Sequence, residues 1–256
     1  MLVPSSGWLP MRLPRLYAPG LSHLVQARFS ESLSIRWSET IDSALFDQIS
    51  QWLNEGARQQ GVRIHAWSLT PEALLLVATP PHRQSLSRLI QAVGRRLGAT
   101  HREGAVFQGR YRSALLEPAQ WVMPAIVWIE SAPVRLGIAP TAAAWRWSSA
   151  VVHTGMDRGI LGQLSFHHDY WACGNTPFDR QAIHKALLST GLSSLQYSEI
   201  ENAIRGQWAL GSAAFLTGLG AVASRRVVPS PRGRPKKVAS QPMPDSIPDT
   251  DPSPIK

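Results

Sequence analysis

The clearest hydrophobic pattern lies over residues 85–97, where Leu86, Leu89, Ile90, Val93 and Leu97 recur at helical spacing. Arg88, Arg95 and Arg96 fall off that stripe. A second helical stripe, Ile41, Leu45, Ile49, Trp52 and Leu53, predicts a helix over Ile41–Gln60 with Thr40 as its N-cap and Gly61 as its end. Strands are predicted over Leu21–Arg28, after the Pro19-Gly20 turn, and over Val62–Leu69 and Ala73–Thr79, joined by Thr70-Pro71-Glu72. Ala73–Thr79 is apolar at nearly every position, which predicts a central strand covered on each side. A further strand ends near Leu116, and a helix follows over Ala119–Ser131, with Pro124 marking either a kink or an early start.

The order strand, helix, strand, strand, helix, strand, helix predicts an α+β fold: a ferredoxin-like antiparallel sheet with helices on one face. This domain is expected over residues 12–150, after a disordered start over 1–11 with Met11 as the natural first residue. A small helical extension is expected over 151–224. Eight prolines and no apolar periodicity from Pro229 onward predict a disordered basic tail over 225–256.

Composition adds a charge to this picture. In 256 residues, Lys and Arg outnumber Asp and Glu by 26 to 17, a formal net charge of +9 that favours polyanionic partners, nucleic acid first and an anionic membrane second. The single Cys173 cannot form an internal disulfide, and no Cys/His cluster has zinc-site spacing, which fits a reducing cytoplasm. The start, MLVPSSGWLP, lacks the basic-then-apolar pattern of a signal peptide. The uncharged run Gln207–Ser224 is too short and too weakly apolar for a membrane span.

Several blocks then fall in a telling order. They are Arg15-Leu16-Tyr17 with Pro19-Gly20 and His23; Gly61-Val62-Arg63-Ile64-His65-Ala66-Trp67; Ser85-Leu86-Ser87-Arg88-Leu89; Phe107-Gln108-Gly109-Arg110-Tyr111-Arg112-Ser113; Trp128-Ile129-Glu130 with Pro133-Val134-Arg135 and Gly137; and Trp147-Ser148-Ser149. His168-x-Tyr170, Thr176-Pro177 and Ala209-Leu210-Gly211-Ser212 with Phe215 continue the match, which spans roughly residues 12–237. In this order and spacing the chain resembles the REP-associated tyrosine transposases. The resemblance implies a single-strand DNA transposase, expected in the cytoplasm at the nucleoid. In that family two His flanking a hydrophobic residue bind Mg or Mn, and a helical Tyr attacks the scissile phosphate. Alternate strand residues face one side, so such a pair can grip one ion.

At the matching positions this chain carries Ala73 and Leu75 in place of the His pair, Trp128 in place of the Tyr, and Ala132 in place of a following Asn. None of these side chains offers a metal a lone pair, and an indole N–H is no nucleophile. The expectation is therefore a DNA-binding relative with no catalytic residue, no metal and no cofactor. The competing reading is an active single-stranded DNA transposase or nickase using replacement residues. His65 and Tyr111 are poor replacements, reading as a satisfied strand histidine and a packed Tyr, and His167-His168 reads as a surface pair. A third reading is a folded relic that binds nothing specifically.

Two sets of residues are candidates for DNA. Arg88, Arg95, Arg96, Arg110 and Arg112 suit phosphate contacts with single-stranded or hairpin DNA. Pro231-Arg232-Gly233-Arg234-Pro235-Lys236-Lys237 resembles an AT-hook: Arg232, Gly233, Arg234 and Pro235 would enter an A·T-rich minor groove while Lys236 and Lys237 meet phosphates. A solvated basic linker is the plainer reading of that segment. Trp67, Trp121, Trp128, Trp145 and Trp147 stand among apolar residues and read mostly as core rather than as base-stacking platforms. The sequence leaves monomer and homodimer equally open.

Overall fold

The structure, a computed structural model, describes residues 14–101, 104–160, 162, 164–223 and 225–229. Strand β1 (His23–Arg28) is followed by helices α1 (Glu31–Glu39) and α2 (Ser43–Gln60), then by the hairpin β2 (Arg63–Leu69) and β3 (Ala73–Thr79). Helix α3 (Ser85–His101) leads to β4 (Arg112–Leu115). The four strands form one antiparallel sheet in the order β2-β3-β1-β4, the ferredoxin-like arrangement expected.

Helix boundaries follow local chemistry. The cap of α2 is Asp42, whose side chain accepts from the Leu45 N–H at 3.0 Å, and not Thr40. Thr40 instead closes α1, a helix the periodicity did not disclose because only Leu33 and Trp37 are buried on it. Gly61 ends α2 at φ +62°, a left-handed conformation that glycine adopts without strain. Gly56 lets α2 approach α3, since a Cβ there would lie 2.7 Å from Leu89. Helix α4 (Val122–Glu130) carries Pro124 in its first turn, where the missing N–H costs no hydrogen bond, so Pro124 marks an early start.

The helices cover both faces of the sheet, which corrects the expectation of helices on one face. Alternation along the central strands sends Val25, Ala27, Leu74, Leu76 and Ala78 toward α2 and α3. It sends Leu24, Ala73, Leu75 and Val77 toward α4 and toward helix α9 (Ser194–Gly206), which contributes Ile200, Ala203 and Ile204. A strand buried at every position, as β3 is, can be stable only if both sides are covered.

Later segments also protect the sheet edges. Trp147–Ser149 runs along β2, with Leu69 N–H donating to the Trp147 carbonyl and Ser149 N–H to the Trp67 carbonyl, both at 2.9 Å. Leu210 bridges to the other edge beside β4, its N–H donating to the Leu115 carbonyl at 2.8 Å. Short helices α5 (Ala132–Arg135), α6 (Ala150–His153) and α7 (His168–Trp171), then α8 (Pro177–Thr190) and α10 (Ala213–Val222), complete the body. The folded body passes the expected boundary at 224: Val227 is buried and its carbonyl accepts from Ala209 N–H at 2.9 Å.

Candidate functional site

The five candidate arginines of the folded body are all exposed, but they do not form one cluster. Arg88 and Arg95 are seven residues apart on α3, which places them within about 20° of the same face and about 10 Å apart along the axis. Arg110 and Arg112, also exposed, flank Tyr111, whose hydroxyl lies 3.2 Å from Ser87 Oγ beside Arg88. This contact ties the residue before β4 to the first turn of α3, whereas Arg112, paired with Gln26, falls on the opposite face of the sheet from Tyr111. Arg15 packs on the same Tyr: its guanidinium lies 3.6 Å over the Tyr111 ring, donates to the Tyr111 carbonyl at 3.1 and 3.3 Å, and reaches Ser87 Oγ at 3.4 Å. Arg96 is set apart, since it pairs with Glu55 on α2 at 2.5 Å. Nothing in the spacing of residues 88–96 distinguishes Arg96; its partner comes from another helix.

Ala73, Leu75 and Trp128 also come together, in the apolar cluster between the sheet and α4 with at most 4% exposure each. Ala132 belongs to the same cluster. A methyl, an isobutyl group and an indole supply no donor atom for a divalent ion, so these positions do not fit the metal that the sequence resemblance implies. Arg135 closes the cluster, donating to the Trp128 carbonyl at 2.6 Å with its guanidinium 5.0 Å from the Trp128 ring and 5.6 Å from the Tyr197 ring. The Trp128 indole N–H is buried without an acceptor.

The other residues considered for chemistry are engaged elsewhere. His65 sits at the irregularity in the β2–β3 pairing, with Nε2 2.8 Å from Thr79 Oγ1 and Nδ1 2.5 Å from the Ser165 carbonyl. Burial pushes its pKa down to about 4, so it is neutral at pH 7. His167 and His168 are not the surface pair expected: His168 is exposed, but His167 is buried and caps α7 by accepting from Asp169 N–H. Trp67, Trp121, Trp128, Trp145 and Trp147 are all buried. Met11 and the segment with Arg232, Gly233, Arg234, Pro235, Lys236 and Lys237 lie outside the described residues. No helix among the described residues is long and apolar enough to cross a membrane.

Sequence reasoning missed a fully buried polar centre. Glu130, at the end of α4, accepts from His153 Nδ1 on α6 and from His184 Nε2 on α8, each at 2.6 Å and each on a different carboxylate oxygen. The Ser149 hydroxyl donates to the same carboxylate. Burial drives the Glu130 carboxyl upward, but the charge and hydrogen bonds of the two imidazoles outweigh this and hold it well below the usual carboxylate range. These residues include three potential metal ligands. Ligands sharing one zinc at about 2.1 Å stand about 3.4 Å apart, so contacts of 2.6 Å describe direct hydrogen bonds. Glu130 and Ser149 stood in the sequence blocks, but partners 23 and 54 residues from Glu130 left no signal in spacing.

No protein-family model matches the chain, and no curated protein matches it. Among solved structures, a REP-associated tyrosine transposase bound to a REP hairpin is 14% identical, over 56% of this chain and 84% of that one, with TM-score 0.49. A crystal structure of a protein from Deinococcus radiodurans R1, designated a transposase, is 18% identical over 42% of this chain and 88% of that one, with TM-score 0.32. At these levels neither neighbour's activity transfers to this chain.

Proposed function

We propose that this chain is a DNA-binding protein on a tyrosine-transposase-like framework that does not cut DNA. The observation that carries the binding half is the alignment of the exposed Arg88 and Arg95 on one face of α3, with Arg15 held beside Ser87 at the start of that helix. A ridge of exposed guanidinium groups suits successive phosphates of a single strand or a hairpin stem. The second half rests on Ala73, Leu75 and Trp128, which fill with hydrocarbon and indole the place where cleavage would need metal ligands and a nucleophile. The basic segment Arg232–Lys237 would add an A·T-preferring contact in the minor groove of a duplex.

The test is binding of a labelled DNA hairpin across a salt series. Arg88→Ala with Arg95→Ala should weaken binding and reduce the slope of log affinity against log salt by about 1.5–2, at about 0.7–0.9 per lost phosphate contact. Arg96→Ala should change the slope far less, because Arg96 is already paired with Glu55. Equal slopes for the wild type and the double variant, or no binding to any hairpin, would overturn the reading.

A further inference from the structure

Between α4, α5, α8 and α9 lies a cavity of about 730 Å³, within the range of small-molecule sites. Its walls are largely aliphatic, formed by Val127, Val134, Pro140, Met156, Leu188 and Leu192. Such a surface disfavours the polar edges of a nucleobase and suits a hydrocarbon or unsubstituted aromatic body. Met156, at 65% exposure, leaves apolar area at the rim that no part of the described chain covers. Polar groups break the apolar wall: the hydroxyl-bearing Ser131, Thr141, Thr154, Ser189 and Tyr197 also line it. Trp128 lines the cavity and has a buried indole N–H without an acceptor. Two cations, Arg135 and Lys185, also line the cavity. Both cations are exposed, but Arg135 already donates to the Trp128 carbonyl and lies near Tyr197 and Glu201. Lys185 has no hydrogen-bond or ion-pair partner among the described residues and is the freer cation for a ligand.

We propose that this cavity binds a small amphipathic anion, an apolar body bearing one carboxylate, with the hydrocarbon inside and the anion at Lys185. The inference does not rest on DNA binding, and its test contains no DNA. The probe is 1-anilinonaphthalene-8-sulfonate, an aromatic body with one anionic group, added to the full chain and followed by fluorescence. Its signal should saturate at one site per chain, with octanoate displacing it at least about tenfold more effectively than octylammonium, a cation of equal length. Lys185→Glu should weaken octanoate competition by at least about tenfold, as expected when a charge-assisted contact is reversed. Ala143→Trp should abolish the saturable signal by filling the cavity. If circular dichroism shows that this variant is unfolded, Ser189→Trp, from the exposed side of α8, replaces it. Equal competition by octanoate and octylammonium, or unchanged affinity in Lys185→Glu, would overturn the proposal. So would an intact signal in a folded filled variant.

Discussion

Replacing Glu130 by alanine should cost this protein a large share of its stability. The carboxylate is fully buried and joins α4, α6 and α8 through His153, His184 and Ser149. Without it Ser149 keeps a partner, because its hydroxyl lies 3.1 Å from the Trp67 carbonyl. The two imidazoles keep none: His153 Nε2 and His184 Nδ1 are already buried and unpartnered, so each ring would lose its last hydrogen bond. Two orphaned groups at about 1–3 kcal/mol each, plus a small cavity, give a loss of about 3–5 kcal/mol, the range for breaking a buried pair from one side. Glu130→Gln keeps the volume and one acceptor and should cost about 2 kcal/mol. Urea unfolding at pH 7, with m-values checked for equality, measures both. Acid adds a second reading. The native carboxyl is held below its ordinary value, so the unfolded chain takes up the proton first. The stabilisation is complete above about pH 4.3 and is lost as pH falls through the native value, and the gap to Glu130→Gln should narrow over that window. A loss below about 1 kcal/mol for Glu130→Ala would refute the account of the centre as a structural clasp.

Asp42→Ala should lower stability by about 1 kcal/mol, whereas Thr40→Ala should cost little; thermal unfolding of the pair locates the α2 cap. Hairpin DNA incubated with Mg²⁺ or Mn²⁺ should yield neither cleavage nor a covalent adduct, and an adduct abolished by mutating one Tyr would establish the competing reading. Truncation after Pro229 should leave the folded body intact but weaken duplex binding and make its salt dependence shallower, since five cations are removed. Cutting at residue 224 instead should also destabilise the body, because Val227 is buried, and unequal melting temperatures of the two truncations would reveal it. Arg232→Ala with Arg234→Ala should reduce preference for A·T-rich DNA selectively, measured by competition between duplexes.

The sequence by itself determined the sheet and its two long helices, because period-2 and period-3.6 patterns record which side of each element is dry. It placed β3 at Ala73–Thr79 as a central strand and ended α2 at Gly61, and the structure agrees at both ends. It also placed Ala73, Leu75 and Trp128 at positions of interest, which the fold gathers into one apolar cluster. Local pattern could not decide what depends on a distant partner. Thr40 and Asp42 are both good capping residues, and which one caps α2 depends on where α1 ends. Arg96 differs from Arg95 only because α2 brings Glu55 beside it. Glu130 is an ordinary acidic residue in sequence, and it becomes a buried anion only where α6 and α8 deliver two imidazoles to opposite carboxylate oxygens. Burial removes water as the competing partner, so a centre of this kind is defined by the residues that surround it in space and by no spacing along the chain.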